Sequence, residues 1–200
     1  MSVLLETSLG DIVIDLETDL CPKTCENFLK LCKVYYYNLN AFFNGACYVI
    51  VAATLNICSV SKDFLAQVGD PTATGTGGES IWSYTSSQQQ SSSPVPRYFA
   101  PEFQSKLKHI HKGTVSMAVS PEVADDPNGQ GGCGSQFFIT LGDNIEYLDG
   151  KHAVFGHVVE GIDTLDKLNE IYTDANQRPF KDVRIRHVVI LGMCFDCSMS

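Results

Sequence analysis

Gly134-Ser135-Gln136-Phe137-Phe138-Ile139-Thr140 opens on a glycine and then runs through aromatic and β-branched residues, which predicts a strand over 136–140. Upstream, Phe64-Leu65-Ala66-Gln67-Val68 reads as another strand, stopped by Gly69-Asp70-Pro71. Residues 114–118 and 153–158 have the same character. At the N-terminus, 3–7 and 11–16 flank Ser8-Leu9-Gly10, and Ile12, Ile14 and Leu16 alternate, so the two runs predict a hairpin. The run 183–191 alternates early and then becomes continuously apolar. Two segments carry helical spacing instead. Pro22 opens the first, where its missing N–H costs nothing, and Cys25, Phe28, Leu29 and Cys32 form its buried face. Ile162, Leu165, Leu168 and Ile171 mark the second. Many short strands with two helices predict a mainly β fold, a closed antiparallel β-barrel capped by two α-helices. Periodicity alone does not separate a barrel from a sandwich.

The chain has 200 residues, 44% hydrophobic and 18% charged, enough for one domain with a sizeable core. We place that domain at 1–192, with an insertion at 45–59, a low-complexity loop at 83–96 and a C-terminal tail at 193–200. The serine- and glutamine-rich 83–96 stretch is expected to be a mobile surface loop. A net charge of −9 disfavours direct nucleic-acid binding and favours basic peptide partners. No apolar run is long enough to span a bilayer, and Met1–Glu6 lacks the pattern of a secretory signal, so a soluble intracellular protein is expected. The eight cysteines are then expected to be free thiols. Cys194 and Cys197 have zinc-ligand spacing, but no second pair completes a tetrahedral site, and no metal or cofactor is expected.

Gly75-Thr76-Gly77-Gly78-Glu79-Ser80 invites a phosphate-loop reading, yet it lacks the lysine and the following amphipathic helix. No Ser-His-Asp or Cys-His set stands out by spacing, although such sets are assembled in space. Three blocks are more specific: Asp63-Phe64-Leu65-Ala66-Gln67-Val68-Gly69-Asp70, Gly134-Ser135-Gln136-Phe137-Phe138-Ile139, and Tyr147-Leu148-Asp149-Gly150-Lys151-His152-Ala153-Val154-Phe155-Gly156. In order and spacing they resemble the signature blocks of the cyclophilins, peptidyl-prolyl cis-trans isomerases. Their wording, with Val3-Leu4-Leu5-Glu6-Thr7 and Gly77-Gly78-Glu79-Ser80-Ile81, resembles the nuclear cyclophilins that carry an RNA-recognition motif after the isomerase domain. The chain ends at Ser200 before any such motif, which reads as an excised domain or a truncated gene product.

The resemblance implies a closed eight-stranded barrel, isomerase activity on Xaa-Pro bonds, no cofactor, a monomeric state, nuclear localisation, and proline-containing partners that include spliceosomal proteins. Carried over residue by residue, Phe64, Leu65, Phe138 and Leu148 line the proline pocket. Gln67 and Gln136 hydrogen-bond the peptide backbone, Ala118 and Val119 form a wall beside it, and His152 sits at the rim. Val119 replaces the family's usual asparagine and removes a polar contact. Tyr147 stands where many members have a tryptophan that contacts cyclosporin, so weak cyclosporin binding and weaker turnover of test peptides are expected.

The family's catalytic arginine has no match. Counting back from the Gln67 block reaches Ser59, whereas removing 45–59 as an insertion brings Asn44 to the position. Neither residue supplies the charge-assisted donor of a guanidinium, so low or absent activity is expected, with a proline-binding scaffold as the alternative. Lys62 or Arg97 could substitute as the cation, but nothing in the sequence places either at the prolyl nitrogen. The insertion's apolar run Ala46-Cys47-Tyr48-Val49-Ile50-Val51-Ala52-Ala53 reads as an added strand or flap, or as a retained intron translated in frame. Its lack of flanking charges favours the second.

Overall fold

The computed structural model describes residues 1–42, 63–89, 95–120, 131–171 and 182–192. The predicted hairpin is present as β1 (Ser2–Thr7) and β2 (Asp11–Leu16), paired from Ser2↔Asp15 to Glu6↔Asp11. Thr7 shapes its turn, accepting from Leu9 N at 3.1 Å and Gly10 N at 3.2 Å through Oγ1. The other strands are β3 (Leu65–Val68), β4 (Thr114–Ser120), β5 (Gly132–Thr140), β6 (Ala153–Glu160) and β7 (Ile185–Leu191). They form one sheet in the order β3-β5-β4-β6-β2-β1-β7, and every pairing is antiparallel. Register shifts at Glu6/Thr7, Val13/Ile14, Val115/Ser116 and Met117/Val119 add local twist and curl the sheet. Among the described residues the sheet has seven strands, with β3 and β7 at its edges, where the resemblance implied eight in a closed ring.

Among the described residues three α-helices accompany the sheet, one more than expected: α1 (Pro22–Lys33), α2 (Ile81–Gln88) and α3 (Ile162–Asn169). Helix α2 corrects the reading of 83–96 as a loop from its first residue. Ser80 starts it by accepting the Ser83 N–H at 3.3 Å, and Ile81 is buried as its anchor. Residues 90–94 of that stretch, the insertion 45–59 and the tail 193–200 lie outside the described residues.

Helix α1 packs against β5 and β7, and α3 against β2. Phe28 of α1 lies among Tyr37, Phe137 and Phe155, with ring centroids 5.2–5.3 Å away. Asn27, also buried, donates to Gly134 O at 2.9 Å and accepts from Ile81 N at 2.8 Å, tying α1 to β5 and to the start of α2. Cys21 precedes Pro22 and offers no cap. Glu102, distant in sequence, does that work: its Oε2 accepts from Thr24 N at 2.7 Å and Thr24 Oγ1 at 2.8 Å, and its Oε1 accepts from Lys23 N at 3.3 Å. A carboxylate there also complements the helix dipole. Glu102→Ala is expected to cost about 1 kcal/mol, the usual worth of an N-cap, read as a lower urea midpoint with an unchanged m-value.

Candidate active site

Strand alternation divides the apolar side chains into two clusters. The large one includes Val68, Val115, Met117, Phe137 and Ile139. The small one comprises Leu65, Ala118, Phe138, Ile145 and Leu148, with Phe64 packed on its edge. Gln67 and Ser116 are both paired with Phe138 across the sheet, so β3, β5 and β4 present one shared face. The sequence-predicted pocket residues Phe64, Leu65, Phe138 and Leu148 meet on that face. Ile145 joins them unforeseen.

Next to the apolar patch, Gln67 is 2% exposed and donates through Nε2 to Gln136 Oε1 at 2.6 Å. Gln136 spends its own Nε2 on Gly75 O at 3.0 Å and Gly77 O at 2.8 Å. The donors of Gln136 are therefore engaged within the fold. Gln67 Oε1 is a buried acceptor without a hydrogen-bond partner among the described residues. Such an atom costs free energy unless a donor reaches it.

The loop that holds Gln136 is organised by one carboxylate. Asp70, fully buried, accepts from Thr72 N (2.8 Å), Thr74 N (3.1 Å), Gly75 N (2.7 Å) and Gly77 N (3.1 Å), and from the Thr72 hydroxyl (2.7 Å). Burial alone would raise its pKa, but these donors outweigh it and hold the group below the ordinary carboxylate range. A Cβ on Gly77 would collide with the Asp70 carboxylate, so glycine is required there by close approach rather than for phosphate binding.

Phe138 lies between two histidines. His152 meets its ring edge-on at 5.2 Å and 80°, and His109 stacks on it at 6.0 Å and 19°. His152 was expected at the rim, but it is only 4% exposed. Its Nδ1 lies 3.3 Å from Met117 O and 3.4 Å from Val119 N. His109 escaped the sequence reading. Its Nδ1 is 2.7 Å from Asp149 Oδ1 and its Nε2 is 2.7 Å from Ser116 Oγ. Burial pushes the His109 pKa down, against the pull of Asp149. Burial would raise Asp149, yet hydrogen bonds from His109 and Lys108 hold it low. An ionised Asp149 and a neutral His109 put the proton on Nδ1, leaving Nε2 to accept from Ser116. The chain Asp149–His109–Ser116 has the residue types of a hydrolase relay, but Ser116 is 0% exposed and no substrate reaches its hydroxyl. It is a buttress for Phe138.

The remaining candidates divide by position. Tyr147 is 55% exposed and stacks on Phe64 at 5.9 Å and 18°, widening the apolar face at its edge. Ala118 and Val119 line a neighbouring cavity together with Gln136 and Arg97. Asn44, Ser59 and Lys62 lie outside the described residues.

The profile of the family described as cyclophilin type peptidyl-prolyl cis-trans isomerase/CLD matches residues 2–190. The chain belongs to the cyclophilin-type peptidyl-prolyl cis-trans isomerase family. Curated relatives of this cyclophilin domain include "Peptidyl-prolyl cis-trans isomerase-like 4" of Cryptococcus neoformans, 63% identical over 96% of the chain and 34% of the relative. The protein of the same name from Mycosarcoma maydis is 54% identical, again over 96% of the chain and 34% of the relative. The chain thus spans about a third of the length of these relatives. A Cryptosporidium parvum cyclophilin-type isomerase, crystallised in the presence of the dipeptide Ala-Pro, superposes with a TM-score of 0.75 at 31% identity. That match covers 96% of this chain and all of the other.

The buried histidine makes the cyclophilin fold sensitive to acid in a definite window. Because His109 is depressed, the unfolded chain takes up its proton near pH 6.5 while the folded chain resists. Its contribution is fully present above about pH 6.5 and falls as pH drops toward the lowered folded pKa. Asp70 and Asp149 add a separate loss below about pH 4, as their depressed carboxyls protonate. Urea midpoints measured from pH 7.5 to 5 are expected to decline, and His109→Gln to flatten that decline. An unchanged slope in the variant would show that His109 does not carry it.

Proposed function

We propose that this domain acts as a peptidyl-prolyl cis-trans isomerase on Xaa-Pro segments, with slow turnover. The observation that carries the reading is the small apolar cluster set apart from the main core and bordered by the Gln67 acceptor, which has no hydrogen-bond partner among the described residues. A proline ring has the size and polarity to pack on this cluster from its half-buried edge at Phe64, with Leu65, Phe138 and Leu148 buried behind it. The adjoining peptide backbone has the N–H that Gln67 Oε1 requires, while Gln136 fixes the loop beside it. Ala118 and Val119 form the wall, His152 steadies Phe138, and Tyr147 extends the contact. Family membership and relatives named as isomerases support this reading.

Isomerisation breaks no bond. It crosses a barrier of about 18–20 kcal/mol set by amide resonance, and catalysis requires better binding of the twisted amide than of the planar one. Twisting localises the lone pair on the prolyl nitrogen, where a donor stabilises it. In this reading that position falls to Asn44 or Ser59, neither of them cationic, which is why turnover is slow. The same reading places weak cyclosporin affinity at Tyr147 and keeps the domain at 1–192, monomeric, without metal or cofactor. It takes the closed eight-stranded barrel, nuclear localisation, spliceosomal partners and a following RNA-recognition motif from the resemblance, and assigns no direct nucleic-acid binding to this acidic domain. The alternative, a proline-binding scaffold with little catalysis, is favoured by the missing arginine.

NMR exchange spectroscopy on an Ala-Pro peptide with catalytic amounts of the protein tests the proposal. Faster cis-trans exchange is expected, reduced about tenfold or more by Phe138→Ala. Shifted peptide resonances without faster exchange would establish the scaffold instead. Arginine at Asn44 or at Ser59 is expected to raise the rate about tenfold at whichever position faces the prolyl nitrogen. No gain with either overturns the donor placement.

A further inference from the structure

Beside the apolar face lies a cavity of about 350 Å³ whose lining includes Thr76, Arg97, Tyr98, Val119 and Gln136. Ala118 belongs both to this lining and to the small apolar cluster. A peptide that seats its proline on the cluster and runs past Val119 and Gln136 therefore sets a neighbouring side chain in the cavity.

The chemistry of that lining is one-sided. Arg97 is its only charged residue among those described. The loop N–H groups of Gly75 and Gly77 are committed to Asp70, and the amide donors of Gln136 to the carbonyls of Gly75 and Gly77. Arg97 donates from Nε to Gly78 O at 2.7 Å and from Nη2 to Thr76 O at 2.8 Å, and its Cζ lies 5.0 Å from the centre of the Tyr98 ring. Carbonyl and ring contacts fix the guanidinium without cancelling its charge. A guanidinium has five N–H donors in a planar fork, so several remain for a ligand. None of the ion pairs formed by described residues includes Arg97.

We infer that this cavity is a selectivity subsite that takes a carboxylate side chain, Asp or Glu, from a residue flanking the proline, and that Arg97 reads it. The inference rests on the peptide-binding reading above. The net charge of −9 favours basic partners at long range. The subsite imposes the opposite sign at one position, so the preferred segment is basic overall with a single acid close to its proline.

The test uses Ala-Pro peptides carrying Glu, Gln or Lys in turn at each of the three positions before and after the dipeptide, with affinities measured by NMR titration. At one position Glu is expected to bind about threefold tighter than Gln, the scale of a partly exposed charge pair, with the advantage shrinking in added salt. Arg97→Gln is expected to erase that difference. Because Arg97 also braces the loop, Ser120→Glu serves as a second variant: a carboxylate in the same lining is expected to turn the preference toward Lys. Equal binding of Glu and Gln peptides at every position overturns the subsite and leaves proline binding standing. So does a preference that survives in Arg97→Gln and does not reverse in Ser120→Glu. Failure of even the Gln peptides to bind overturns both readings.

Discussion

The site depends on the period of two along β5. Phe137 and Phe138 are chain neighbours, yet the pleat sends Phe137 into the main core under Phe28 and Phe138 to the opposite face. The ladders on both sides hold this choice, with Gln67 and Ser116 opposite Phe138 and Val68 and Met117 opposite Phe137. A slip of one residue would exchange the two faces and bury the glutamines in the core. The large cluster makes such a slip costly, so the same packing that stabilises the fold also keeps the small apolar cluster on the opposite face of the sheet.

Around that face the fold uses buried polar groups as fixtures. Asp70 gathers the donors of its loop, and the resulting geometry presents Gly75 and Gly77 carbonyls to Gln136 and Thr76 and Gly78 carbonyls to Arg97. On the other side, Asp149 orients His109, which backs Phe138. Both carboxylates are multiply hydrogen-bonded, which is how a fold retains charge where solvent is scarce. An isomerase that acts by binding a twisted amide has no covalent chemistry to perform, so its rate rests on the rigidity of the surface it offers.

Most strands were legible because each sets regular apolar residues between turn residues. Pro22 marked the start of α1, although its cap, Glu102, was visible only in three dimensions. Strand β5 begins at Gly132, earlier than expected, because Gly132-Cys133-Gly134-Ser135 lacks the β-branched residues that signal a strand. Helix α2 was hidden by serine- and glutamine-rich composition, even though Ser80 before Ile81-Trp82 is a fair N-cap signal. Within the site, the motif blocks carried Phe64, Leu65, Gln67, Gln136, Phe138 and Leu148. His109 and Asp70 escaped as functional supports, since a lone histidine and an aspartate in a turn have no periodicity. Their meaning lies in contacts between segments distant along the chain.

The proposed isomerase function places proline at the small apolar cluster and at no other described part of the molecule. Mapping the backbone and methyl chemical-shift changes produced by an Ala-Pro peptide tests it most directly. The largest changes are expected at Phe64, Leu65, Gln67, Ala118, Phe138 and Leu148, with small ones at Val68, Met117 and Phe137 across the sheet. Changes centred elsewhere, or none at peptide concentrations that saturate other cyclophilins, would contradict it.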